Sequence, residues 1–279
     1  VVQAAPQPEP APAPAPVAEF NFVPQAILAE GGEPLKDVDI AWEVYSSKAD
    51  GTAGERVTTE YNDYRGNLEP GDYVVKAILD AAFVEMPVRI EAGKVAEPVF
   101  VLNAGRLIVR PRPSEGAEID GNAAVIIDYP GDGDTTYYGE TKSYLPAGDT
   151  ILTVKIGSGE VSETITLMAG QTIEKDVVVG VGRVVVNALY AAGGDKVDSG
   201  NMFTKILKAK KKIDGSRGDV TYAYGPDATF DLSGGDYVAL VEMDQAVVEA
   251  PFTVKVGDHQ DVTAVLDAGV LAISAPGAG

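Results

Sequence analysis

Apolar and polar residues alternate with a period of two through almost the whole chain, and helical periodicity is nearly absent. The run Tyr73-Val74-Val75-Lys76-Ala77 reads as a strand with Tyr73, Val75 and Ala77 on one face. Its counterparts are Thr150-Ile151-Leu152-Thr153-Val154 and Tyr237-Val238-Ala239-Leu240-Val241. Turn chemistry precedes each, in Pro70-Gly71-Asp72, Pro146-Ala147-Gly148 and Gly234-Gly235-Asp236. Val88-Arg89-Ile90, Ile165-Thr166-Leu167 and Phe252-Thr253-Val254 alternate in the same way. Each ends at a turn glycine, Gly93, Gly170 or Gly257, and a further apolar run follows over residues 99–102, 177–179 or 262–266.

These features recur at fixed spacing. Leu-x-x-Gly-Asp occurs at Leu68, Leu145 and Leu232, and a glycine opens an apolar run at Gly105, Gly182 and Gly269. The gaps Gly71 to Gly93, Gly148 to Gly170 and Gly235 to Gly257 are all 22 residues, and the next gaps, to Gly105, Gly182 and Gly269, are all 12. The chain is a tandem repeat of one β-rich module, with periods of 77 and 87 residues. In such an array, length and lateral contacts carry function as readily as a cleft does.

Many short strands separated by Gly and Pro turns predict an all-β chain of three tandem immunoglobulin-like or prealbumin-like β-sandwich modules. The expected boundaries are 19–105, 106–182 and 183–269. Residues 1–18 form a Pro/Ala-rich segment, either an unstructured tail or an extended polyproline II spacer of about 3.1 Å per residue. Gly-Asp-Tyr in modules one and three echoes the tyrosine corner, whereas module two has Thr150 in that place. Trp42, the sole tryptophan, is expected in the core of module one. Module three carries about ten residues more than module two, expected within residues 205–224. The last strand of each module runs into the first of the next with almost no linker, which predicts stiff stacking. Residues 270–279 begin a fourth module, so either the natural chain continues by about 70–80 residues or this strand pairs with another subunit.

Composition narrows the chemistry. Lys plus Arg number 22 and Asp plus Glu 42, a net charge of −20 that repels nucleic acid and anionic lipid. There is no cysteine, which excludes disulfides, thiolate metal sites and cysteine nucleophiles. The single histidine, His259, leaves no histidine cluster for zinc and argues against a Ser-His-Asp triad. No run of about 18 apolar residues is present, so no helix is expected to insert in a membrane. The first residues lack a basic region followed by an apolar one, and would suit a mature end after cleavage at a small-residue site.

Few residues offer site chemistry. Asp128, Asp132 and Asp134 share a tight loop, a weak calcium pattern without the 12-residue spacing of an EF-hand, and a polar turn is the simpler reading. No other cofactor is indicated. Lys205, Lys208, Lys210, Lys211 and Lys212 form the one basic cluster, read either as a contact for an acidic partner face or as lysines protecting an edge strand. Val270, Leu271 and Ile273 of the terminal strand are the other candidate partner contacts. Tyr137-Tyr138 and Tyr222 with Tyr224 are the candidate aromatic platforms for a ligand. Arg217-Gly218-Asp219 spells an integrin-type tripeptide that chains of this length carry by chance often enough to bear no weight. Acidic residues are spread over strands and turns rather than gathered at matching positions, which argues against an enzyme.

Residues 29–35, 41–45 and 68–75, with Glu91-Ala92-Gly93 and Leu102-Asn103-Ala104-Gly105, resemble repeats of exported alphaproteobacterial proteins that often accompany a von Willebrand factor A domain. The pattern is similar, more loosely, to prealbumin-like modules of surface proteins and carboxypeptidase regulatory domains. The resemblance implies export and a non-catalytic β-sandwich role. The Asp-x-Ser-x-Ser metal signature of the A domain is absent, so no metal-dependent adhesion carries over. The expected function is a structural subunit of a bacterial cell-surface or extracellular assembly: a filament, stalk or layer that self-associates or joins a larger surface complex. The alternatives are an adhesion module for glycan or protein, and an inert spacer in a larger exported complex, with an extracellular, cell-surface or periplasmic location in each case.

Overall fold

A computed structural model describes residues 19–131 and 133–269. The protein is all-β, with twenty strands and no helix among the described residues. It divides into two compact units, Val1–Ala104 and Gly105–Gly279.

The first unit contains β1 (Gln25–Ile27), β2 (Ala41–Ser47), β3 (Ala53–Tyr61), β4 (Gly71–Leu79), β5 (Ala82–Ile90) and β6 (Val99–Val101). An antiparallel sheet of order β3-β2-β4-β5 faces the parallel pair β1-β6, which Phe22 extends through bridges to Gly66 and Ala96. Alternation along β2 sends Trp42 and Val44 inward, to meet Val75, Ala77 and Phe100. Trp42 is 2% exposed, as expected of a core residue. Its ring meets Phe100 edge-on at 5.3 Å, and its Nε1–H donates to the Asn62 carbonyl at 2.8 Å, so the buried donor is satisfied.

The second unit holds two sets of seven strands. The first set is β7 (Ala104–Arg112), β8 (Ala124–Tyr129), β9 (Gly133–Tyr138), β10 (Thr141–Pro146), β11 (Gly148–Ile156), β12 (Gly159–Leu167) and β13 (Thr172–Val178). The second set is β14 (Val181–Leu189), β15 (Phe203–Lys211), β16 (Arg217–Tyr224), β17 (Ala228–Ser233), β18 (Gly235–Met243), β19 (Ala246–Val254) and β20 (His259–Val265). Each set forms a three-stranded sheet, β10-β7-β13 or β17-β14-β20, and a four-stranded sheet, β12-β11-β8-β9 or β16-β15-β18-β19. β14 pairs antiparallel with β17 and parallel with β20, and β7 likewise lies between β10 and β13, parallel to β13. An immunoglobulin constant-type sandwich keeps its first two strands in one sheet. Here they lie in different sheets, so the sandwiches do not have the constant-type immunoglobulin arrangement.

The repeated landmarks have local physical causes. The hydroxyl of Tyr73 donates to the Glu69 carbonyl at 2.8 Å, and that of Tyr237 to the Ser233 carbonyl at 2.9 Å, so the tyrosine corner is made in modules one and three. In module two Thr150 is fully buried and its Oγ1 has no hydrogen-bond partner. An unpaired buried hydroxyl costs about 1–3 kcal/mol. Thr150→Val should therefore raise the stability of the second unit by about 1 kcal/mol, read as a higher urea midpoint at unchanged slope.

The length difference between modules resides mainly in one hairpin. β15 and β16 with their turn span residues 203–224, against 124–138 for β8 and β9, while β2 and β3 span 41–61. Modules one and three share the long form, down to its turn. Lys48-Ala49-Asp50-Gly51-Thr52 and Lys212-Ile213-Asp214-Gly215-Ser216 carry the same bonds. The Asp50 carboxylate accepts from the Thr52 amide at 3.0 Å and its hydroxyl at 2.7 Å; Asp214 accepts from Ser216 at 2.9 and 2.7 Å. These bonds hold both aspartates below the ordinary carboxylate range.

Candidate functional site

Two places concentrate the features that the fold alone does not require: the joint between the two sandwiches of the second unit, and the long hairpin of module three.

At the joint, only Val179 and Gly180 separate β13 from β14. Their amides and that of Val181 are all used: Val179 donates to Arg112 at 2.9 Å, Gly180 and Val181 to Pro113 at 3.0 and 2.8 Å. A second line of contact joins the β11–β12 turn to β17. The Ser158 amide donates to the Asp231 carbonyl at 2.9 Å, and the Ser233 amide to Ser158 Oγ at 3.3 Å. Gly157, at φ 53°, lets the turn approach the Asp231 backbone more closely than any side chain would allow. On the far side of Asp231, its carboxylate accepts a bidentate pair from Arg183 at 2.9 and 3.0 Å, which raises the Arg183 pKa further. A shallow recess of about 420 Å³ lies beside these groups, lined by Ser114, Asp120, Arg183, Asp231 and His259 among others. His259 is exposed at the start of β20. The joint is held by main-chain hydrogen bonds along both lines of contact.

The lysine cluster falls into two parts. Lys205 pairs with Asp219 at 2.7 Å, and Lys208 donates to the Tyr237 hydroxyl at 3.2 Å while lying 4.6 Å from its ring centre. Lys210, Lys211 and Lys212 are exposed at the end of the hairpin and make no ion pair among the described residues; Ile213 beside them is fully exposed. The edge-strand reading of this cluster is corrected by the sheet order: β15 lies between β16 and β18, and the edges are β16 and β19. Topology decided this, since β15 pairs with its neighbour in sequence on one side and, on the other, with β18, which begins 24 positions after β15 ends. Arg217 and Asp219 are engaged within the sheet. The guanidinium bonds the Ala209 carbonyl and reaches Glu249 at 3.3 Å, and Asp219 holds Lys205.

Of the calcium candidates, Asp132 lies outside the described residues, as do Val270, Leu271 and Ile273 of the proposed terminal contact. Asp128 and Asp134 face each other across β8 and β9 with exposed side chains. Among the described residues no group of three or more His, Asp or Glu has an arrangement that would hold a metal ion. Tyr137 bonds Ser143 at 3.1 Å and is half-buried, whereas Tyr138 is exposed. Tyr222 and Tyr224 do come together, and Phe203, which sequence reasoning passed over, completes a group of three rings.

No protein-family model matches the chain, and no curated protein matches it. Solved structures to which it is similar include the Bacillus anthracis TIE protein, at 16% identity and TM-score 0.26, covering 88% of this chain and 50% of that one. The chain thus spans half the length of that relative. Others are the shaft pilin SpaA from Lactobacillus rhamnosus GG, at 12% identity and TM-score 0.33 over 61% of this chain and 99% of that one, and BcpA, the major pilin subunit of Bacillus cereus, at 11% identity and TM-score 0.23 over 89% and 98%. At these values the likenesses say nothing about what this chain does.

Proposed function

We propose that the protein is a non-catalytic structural subunit of a bacterial cell-surface or extracellular assembly. The observation that carries this reading is the joint of the second unit. Two sandwiches are locked by main-chain hydrogen bonds at both the connection and the β11–β12 turn, which suits a chain that must hold distance or bear tension. The sequence resemblance of module one to exported repeats supports the location. Contacts with neighbouring subunits are assigned to the free lysines of the hairpin, Lys210, Lys211 and Lys212, because the remainder of a chain of net charge −20 supplies complementary surface on a second copy.

The test is electron microscopy of the assembled material, with sedimentation velocity of the purified chain over a range of concentration. Filaments or arrays with a module-sized repeat, and a sedimentation coefficient that rises with concentration, are the expected results. A monomer at every concentration, with no regular assembly, would sink the self-associating form of the proposal. Replacing Lys210, Lys211 and Lys212 with glutamate should abolish association while leaving the melting temperature within about 2 °C, since the side chains are exposed. The loss should be mimicked in the native chain by salt near 0.5 M, where the Debye length is only about 4 Å.

A further inference from the structure

The three modules guard the same sheet edge differently. β5, β12 and β19 are the outer strands of their four-stranded sheets, each hydrogen-bonded to a neighbour strand on one side alone. Their registers align them residue for residue: Val74 faces Pro87, Ile151 faces Thr164 and Val238 faces Pro251. Two residues earlier in each outer strand stand Glu85, Ser162 and Glu249. Modules one and three carry Glu-x-Pro in mid-edge, where module two carries Ser162-Glu163-Thr164. A charge and a proline on an edge strand are the ordinary means of stopping another strand from adding to it. β12 has neither at those positions, and Glu163 between them is held by Lys175 at 2.7 Å. The ladder shows which groups this leaves open. Ile156 and Gly159 pair across a two-residue turn, and from that bonded pair the steps alternate between hydrogen-bonded and not. Ser162, Thr164 and Thr166 fall on the steps whose N–H and C=O turn away from β11, and all three are exposed. In the other modules proline takes the Thr164 step and removes the outward donor. The adjoining strand differs in the same sense. Val74 and Val238, beside Tyr45 and Leu207, are 6% and 3% exposed, whereas Ile151, beside Asp128, is 45% exposed.

We propose that β12 adds to β12 of a second copy, antiparallel and about a two-fold axis at Thr164, so that the two sheets become one. The edge is complementary to itself in that register. Thr164 faces Thr164, Ser162 faces Thr166 and Glu163 faces Ile165, so no like charges are opposed and hydroxyls meet hydroxyls. Ile151, Thr164 and their two counterparts then lie in one row across the joined sheet. Centred on Glu163, the pairing would set that glutamate against itself. Centred on Ser162, it would bring Thr166 onto Ser158, whose amide already bonds the Asp231 carbonyl. A second copy is the fitting occupant because the equivalent edges β5 and β19 are closed by their prolines, and only β12 of the three offers an uncharged, unbroken outward row. A ladder over residues 161–167 falls short of a standard interface, which buries about 1,600 Å² in total. The edge therefore closes between copies that the hairpin lysines have already brought together, and the inference rests on the self-associating form of the structural reading.

The test compares the native chain with Thr164→Pro by sedimentation velocity over a range of concentration. Proline occupies this step in modules one and three, so the variant should fold, with a melting temperature within about 2 °C of native. The concentration for half association should rise about tenfold or more. Equal association of Thr164→Pro and the native chain overturns the inference and leaves the structural reading standing. A native chain that is monomeric throughout overturns both. Should Thr164→Pro melt at a lower temperature, charge supplies a second test. Thr164→Lys and Thr164→Glu each set like charges face to face at the axis, so each alone should associate about tenfold more weakly than native. An equimolar mixture of the two should recover, and a mixture no stronger than its components overturns the pairing about Thr164. Amide hydrogen exchange reads the edge directly. In native assemblies Ser162, Thr164 and Thr166 should exchange more slowly than in the dilute chain; unchanged exchange there would mean that β12 stays free, and the inference fails.

Discussion

Replacing Trp42 with alanine should lower the stability of the first unit by about 3–5 kcal/mol. The side chain is almost fully enclosed, its ring packs on Phe100, and its N–H occupies the Asn62 carbonyl. Truncation therefore opens a cavity between the two layers and removes the hydrogen bond to the Asn62 carbonyl. The second unit shares none of these contacts, so its transition should stay where it was. Two calorimetric transitions are expected in the variant, one displaced downward by roughly ten degrees or more and one unmoved. Trp42→Phe should recover much of the loss, because phenylalanine refills most of the space and lacks only the donor. Trp42 is the only tryptophan, so in the native chain its fluorescence reports on the first unit alone, and circular dichroism reports on both. A single transition that shifts as a whole in Trp42→Ala would show that the two compact units unfold together.

That experiment bears on how far the sequence could be read. The alternation of apolar residues announced the strands, and Leu68, Leu145 and Leu232 are buried as the repeat required. The pairing of Tyr73 and Tyr237 with a carbonyl four residues back was legible because it is local. Phe203 was not legible as part of an aromatic group. Its partners lie across a hairpin with two register shifts, between Ile206 and Leu207 and between Leu207 and Lys211, and no count along the chain places Phe203 opposite Tyr224. The lysine cluster was visible as composition, but whether its strand is central or at an edge is settled by β18, which is distant in sequence. The shared turn of modules one and three is written locally in the sequence, as Lys-x-Asp-Gly-Thr and Lys-x-Asp-Gly-Ser, because an aspartate that accepts from the residue two positions on needs no distant partner. The proposed joint was foreshadowed by the short linkers, though not its second line through Ser158 and Asp231, which join residues more than seventy positions apart.

Gly105 and Gly182 are glycine for a steric and long-range reason, whereas a Cβ on Gly269, the third of the series, would meet nothing within 4 Å. Gly105 and Gly182 both have ordinary negative φ, so turn conformation does not demand glycine at either. A Cβ on Gly105 would stand 2.6 Å from Leu167 Cγ and 2.7 Å from the Met168 carbonyl oxygen. One on Gly182 would stand 3.0 Å from Val254 Cγ1 and nearer still to the Lys255 carbonyl oxygen. These are equivalent neighbours in successive modules, at the end of β12 in one and of β19 in the other. Relief is hard at Gly182, because the Asp258 amide bonds the Lys255 carbonyl at 3.1 Å and the Gly257 amide bonds Val181 at 3.0 Å. Gly182→Val should thus cost the second unit about 1–3 kcal/mol or more, the range for overpacking a filled interior, and Gly182→Ala should fall at the lower end. Gly200→Ala provides the control, for its Cβ meets nothing within 4 Å and its φ is not positive. Urea denaturation followed by circular dichroism should show a lower midpoint for the Gly182 variants and none for Gly200→Ala. Tryptophan emission should be unchanged in all of them, because Trp42 sits in the other unit. Equal stability of Gly182→Val and the native chain would mean that the β14 backbone is not seated against β19 as described, and the steric account of the repeated glycine would fall with it.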